Sequence, residues 1–119
     1  MKYVNFPITI ETAADNTPVA SAPVDASQLY KMSAQVVVTD SSITSSLQLQ
    51  VSNDELNAGY LNLNQPVNWS DLGSPLSIAA PGVFLIEQQD LCYRSIRFVL
   101  TNSDSTAHTA LINVMALAI

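Results

Sequence analysis

Residues 83–101 read Val-Phe-Leu-Ile-Glu-Gln-Gln-Asp-Leu-Cys-Tyr-Arg-Ser-Ile-Arg-Phe-Val-Leu-Thr. Two apolar ends flank a polar centre, so the stretch reads as two strands joined by a short turn at residues 87–90. Strand side chains alternate sides, which puts Cys92, Arg94, Ile96, Phe98 and Leu100 on one face. Tyr93, Ser95, Arg97, Val99 and Thr101 take the other. Arg94 and Arg97 therefore diverge and cannot form one basic patch. Arg94, set among apolar neighbours, is expected to be a structural ion-pair partner, with Glu87 or Asp90 nearest in sequence.

The same alternation recurs on both sides of this stretch. Val4, Phe6, Ile8 and Ile10 share a face in a first strand that carries Pro7, which suits an edge. Residues 13–27 are rich in Ala, Ser, Pro and Asp, and read as a loop with one short extended piece at 19–22. Residues 28–39 make a longer strand whose Val36-Val37-Val38 centre is apolar on both faces. Leu47, Leu49 and Val51 face inward from a strand whose Gln48 and Gln50 face out. Shorter strands are expected at 57–64 and around Leu76 and Ile78. The chain closes with an apolar strand at 109–119. No stretch carries a capped 3.6-residue apolar period. About eight short strands separated by Pro, Gly and Ser-Asn-Asp turns predict an all-β protein. The expected fold is an antiparallel β-sandwich of jelly-roll type, with residues 1–119 as one domain.

Composition narrows the function. Of 119 residues, 48% are hydrophobic and 12% charged, about half the usual charged share. A surface that must be largely neutral suits a protein partly covered by neighbours. Four basic against ten acidic residues give a net charge of −6, which opposes binding to a nucleic-acid backbone or an anionic membrane. The opening residues hold no apolar run of signal-peptide length, so synthesis in a host cytoplasm without a signal peptide is expected. A single cysteine, Cys92, rules out an intrachain disulfide. No nucleophile motif, phosphate-cradling glycine loop or histidine-rich metal spacing is present. No catalytic residue, cofactor or metal is assigned.

Four pieces stand in a particular order: Leu-Gln-Leu-Gln-Val-Ser-Asn-Asp (47–54), Val-Asn-Trp-Ser-Asp-Leu-Gly (67–73), Tyr-Arg-Ser-Ile-Arg-Phe-Val-Leu-Thr (93–101) and the apolar last strand. Their order and spacing resemble small β-sandwich structural proteins of bacteriophage virions. They bear a weaker likeness to discoidin-like carbohydrate-binding jelly rolls. The first resemblance implies a non-enzymatic virion protein, a capsid decoration or cement protein or a minor head or tail component. Its partners would be itself, in a closed oligomer such as a trimer, and other virion proteins. The second implies a carbohydrate-binding, host-attachment module.

Cys92 and His108 are the only thiol and imidazole. In mid-strand on an apolar face Cys92 reads as inert packing, and His108 as a solvated loop residue. Asn53 and Asp54, with Tyr60 and Trp69, form a candidate ligand loop, for a sugar ring stacked on Trp69 or for calcium held by loop oxygens. The competing reading of Trp69 is a plug in the mouth of the sandwich. The two-sided apolar strands point to an interface. In the last strand Leu111, Met115, Leu117 and Ile119 are the bulkier set and are expected to fill the core. Ile112, Val114, Ala116 and Ala118, together with Val37, are then expected to form the subunit contact.

Overall fold

Alternation of apolar and polar residues dictates strands, and the computed structural model contains strands and no helix among the residues it describes: 2–12, 17–40, 43–56, 64–104 and 106–118. They are β1 (Lys2–Glu11), β2 (Val19–Ala20), β3 (Val24–Asp25), β4 (Leu29–Val38) and β5 (Ser45–Ser52), then β6 (Ser70–Asp71), β7 (Leu76–Ile78), β8 (Gly82–Gln88), β9 (Ser95–Asn102) and β10 (Thr109–Ala118). The weak strand expected at 57–64 falls almost wholly outside the described residues.

One sheet runs β1-β10-β4-β8, and the other is built on β9 and β5. All pairings are antiparallel. β2 and β3 lie end to end along β9, and β6 and β7 end to end along β5. Each of these pairs is one interrupted edge strand. Merged in this way, the strands run 1-8-3-6 in one sheet and 2-7-4-5 in the other. That is the double Greek-key order of a jelly roll. The interruptions have local causes. Between β2 and β3, Ser21 keeps the ladder alive with its hydroxyl, which accepts from Phe98 N–H at 2.9 Å. Between β6 and β7, Gly73 adopts a left-handed φ of 75° that side-chain-bearing residues disfavour.

The core lies between the sheets. Ile96, Phe98 and Leu100 of β9 are completely buried opposite Val51, Leu49 and Leu47 of β5. The facing sheet contributes registered inward rows. Phe6, Val114, Ala34 and Ile86 make one, and Ile8, Ile112, Val36 and Phe84 another. Side chains of unequal bulk share the first row, with Ala34 between the larger Val114 and Ile86, whereas the second row is bulky throughout.

This packing reverses the expected faces of the last strand. Ile112, Val114, Ala116 and Ala118 are buried in the chain's own core, whereas Leu111 and Met115 are exposed. Side-chain bulk was the wrong criterion. β10 is a central strand between β1 and β4, whose bulky Phe6, Ile8 and Met32 already fill much of the gap, so small residues fit there. Val37 lies on the outer face, between Leu111 and Val83.

The expected hairpin at 83–101 is also overturned. β8 pairs with β4, β9 pairs with β5, and residues 89–94 cross from one sheet to the other. The crossing is pinned by Leu91, which is buried and donates its N–H to Tyr30 O at 2.8 Å. Strand alternation therefore stops before Ser95. Cys92 and Arg94 are exposed rather than core-facing, and among the described residues Arg94 makes no ion pair. Its backbone N–H donates to Asn53 Oδ1 at 3.0 Å.

Candidate functional site: a buried histidine cluster and two unlike sheet faces

His108 is buried, contrary to the solvated loop position expected, with its side chain only 1% exposed. It stands at the start of β10, where three connections meet at one end of the sandwich. Nδ1 lies 3.1 Å from Asp40 Oδ2, and Nε2 lies 2.8 Å from Asp104 Oδ1 and Oδ2. A neutral imidazole donates to only one such partner, whereas an imidazolium donates to both. Asp40 follows β4 and also accepts from Thr109 N–H. Asp104 follows β9 and accepts from Thr44 N–H at 2.7 Å and Thr106 N–H at 2.9 Å. Thr12, after β1, closes the group through its hydroxyl, which accepts from His108 N–H at 3.0 Å.

Desolvation opposes ionisation of Asp104. The N–H donors of Thr106 and Thr44 and the His108 ring outweigh it and hold the carboxyl at about 2, below the ordinary 3.8. The cluster ties together segments of both sheets. Both ring nitrogens face carboxylates and the ring is buried, so neither nitrogen is free to take a proton from a substrate. The arrangement is a bolt. The sequence held a signal for it: Asp104 is four residues from the one histidine, and Asp40 comes just after the strand that pairs with β10. Among the described residues, no cluster of three His, Cys, Asp or Glu side chains could hold a metal ion.

The carboxylate of the candidate ligand loop is engaged within the chain, next to Trp69. Asp54 clamps the loop ahead of β6, with Oδ2 accepting from Val67 and Asn68 N–H and Oδ1 from the Asn68 side chain. Those bonds, that of the Asn68 side chain first, lower its pKa. Asn53 braces Arg94, and Tyr60 lies outside the described residues. Trp69 is half-buried on the outer side of the β9–β5 sheet rather than at the mouth of the sandwich. The Arg97 guanidinium stacks on its ring, 4.3 Å from the centroid. Arg97 Nε donates to Gln50 Oε1 at 2.9 Å, and Gln50 Nε2 donates to Asp71 Oδ1 at 2.9 Å. This row runs straight across three strands. One face of the indole is thus already taken.

The two outer faces differ in kind. That of the β9–β5 sheet shows Ser46, Gln48, Gln50, Arg97 and Thr101. That of the other sheet shows Tyr3, Val83, Leu85, Leu111 and Met115, exposed by 68, 63, 58, 45 and 46%. Leu111, Val37 and Val83 sit side by side on adjacent strands, with Leu85 beside Gln35 in the next outward row. Among the described residues, the exposed large apolar side chains carried by strands are all on this side; Leu56 and Val67 are exposed outside the strands, and the partly buried Val99 lies on the other outer face.

The class this fold defines is an antiparallel jelly-roll sandwich. No family model matches this chain, and no curated protein matches it. Among solved structures, the chain is similar to a protein of the Bacillus endospore appendages, described as disulfide-linked pili. The TM-score is 0.55 at 10% identity, over 98% of this chain and 88% of that one. It is also similar to a chain of the T13 particle of infectious bursal disease virus, with a TM-score of 0.54 at 11% identity. A chain of the Gt strain of that virus gives 0.52 at 9%. This chain spans 31 and 32% of the length of those two viral chains. At such identities the likeness is one of fold.

Proposed function

We propose that this chain is a non-enzymatic structural subunit that assembles through the outer face of the β1-β10-β4-β8 sheet. The carrying observation is the contrast between that apolar face and the neutral polar face of the other sheet. Leu111, Val37 and Val83 adjoin in one row with Leu85 next to them, and clustered exposed apolar side chains mark an interaction site more often than they stand free. The setting this suits best is a virion, in a bacteriophage capsid decoration protein or a minor head or tail component made in the host cytoplasm. Residues 1–119 would act as one domain. Jelly rolls commonly build capsids, and the similar structures from a virus particle and a pilus fit the same reading.

Magnitudes favour a repeated assembly over an isolated pair. Covering a large aliphatic side chain fully is worth roughly 1.5–3 kcal/mol, and about half that where it is already half covered. Four such side chains supply roughly 5 kcal/mol, near the lower end of the 4–15 kcal/mol that association costs. A contact of that strength is weak alone and firm when repeated over a lattice.

The test is Leu111→Glu, at a site exposed in the monomer. The variant should fold as the wild type does, yet sediment as a monomer where the wild type forms larger species. Equal assembly by both proteins would remove the sheet face from the account.

A further inference from the structure

Among the described residues β8 pairs with β4 alone, which leaves its other side an open sheet edge. The strand, Gly82–Gln88, is seven residues long and reads Gly-Val-Phe-Leu-Ile-Glu-Gln. It contains no proline or lysine and a single charge, Glu87. Edge strands are usually protected by being short, by charge, by proline or by a bulge, and of these β8 has only the one charge near its end. Its inward residues Phe84 and Ile86 are only partly covered, so the rim of the core is open there as well.

The other edges are guarded. β1 carries Pro7 at mid-strand, where no N–H is available to a further strand. The outer edges of the second sheet are broken into pieces of two or three residues, β2, β3, β6 and β7. A head-to-tail joint between β8 and another copy's β1 would therefore meet a gap in the donor row. A joint to the second sheet would find no run long enough. Among the described residues, the one unbroken edge that β8 can meet on a second copy is β8 itself.

We propose that β8 pairs antiparallel with β8 of a second copy about a two-fold axis, joining two four-stranded sheets into one of eight strands. Two-fold antiparallel pairing sets residues of one parity against each other, so outward side chains meet outward side chains. Centred on Phe84, it sets Val83 beside the partner's Leu85 and continues the apolar face across the joint. The two Glu87 carboxylates then stand about 20 Å apart along the strands, so they do not oppose the contact. This pairing deepens the assembly reading above, and its test is separable from that one.

The experiment combines sedimentation of the purified full chain with hydrogen–deuterium exchange of amides 83–88, for the wild type and for Leu85→Lys. The expected result is a dimer in which all of these amides exchange slowly. Leu85→Lys should raise the dissociation constant by roughly 100-fold and make alternate β8 amides fast, since a lysine at the joint guards the edge. An oligomer whose alternate β8 amides exchange fast would overturn the pairing while leaving the sheet-face contact standing. A chain that stays monomeric at millimolar concentration would overturn the pairing too. Leu111, two strands in from the edge, reports on the sheet face independently.

Discussion

A single imidazole holds one end of this sandwich closed. With Asp40 on one nitrogen and Asp104 on the other, His108 links the segment after β4 to the segment after β9. His108→Ala would leave both carboxylates without their shared partner and a void at the sheet end. The expected cost is about 3 kcal/mol, read as a lower Tm or an earlier urea midpoint. Acid should weaken the same point. Asp104 titrates at about 2 in the folded chain against an ordinary 3.8, so between those values the unfolded state binds more protons. Its contribution is complete above pH ~4 and is lost as pH falls toward 2. Asp104→Asn should therefore show a shallower fall of Tm with pH across that window than the wild type. Parallel slopes would mean that Asp104 is not ionised within the bolt.

Strand β10 separates what a pattern can reveal from what packing decides. The strand itself was plain in the sequence, as were β1, β4 and β5, because alternation of apolar residues sets their extent. Which face of β10 turns inward was not plain, since both faces are apolar and only the neighbours settle the choice. Phe6 and Ile8 on one side and Val36 on the other fix that parity through the register. Arg94 and Cys92 went astray for a related reason. The apolar pattern of the second strand begins at Leu91 in the sequence, but the backbone there is still crossing from one sheet to the other. His108 was misplaced because its partners lie 68 and 4 residues away, and only the fold brings the distant one near. The corrected parity makes opposite forecasts for adjacent residues. Val114→Glu puts an unpaired charge into the core at a cost of several kcal/mol and should unfold the chain by circular dichroism. Met115→Glu, one position on and exposed, should leave the spectrum and Tm nearly unchanged. If both variants fold equally well, the register of β10 is wrong.

The whole molecule sets an apolar sheet face and an open edge against a net charge of −6. These two features oppose one another during assembly. Copies bearing six negative charges repel at long range, whereas contact through Leu111, Val37, Val83 and Leu85 is short-ranged and indifferent to ions. At low ionic strength the Debye length is about 30 Å, comparable with the 44 × 32 × 21 Å extents of the chain, so repulsion spans the entire approach. Near 0.15 M it contracts to about 8 Å, and the apolar contact is reached with little resistance. Association should therefore tighten as salt rises from about 0.01 to 0.15 M, with most of the gain in the rate of encounter. Sedimentation equilibrium at the two salt concentrations measures the dissociation constant, and stopped-flow light scattering measures the rate. An assembly joined instead by ion pairs across the Arg97–Gln50–Asp71 face would behave oppositely and loosen with salt. Tightening with salt thus points to the apolar sheet, and loosening to the polar one.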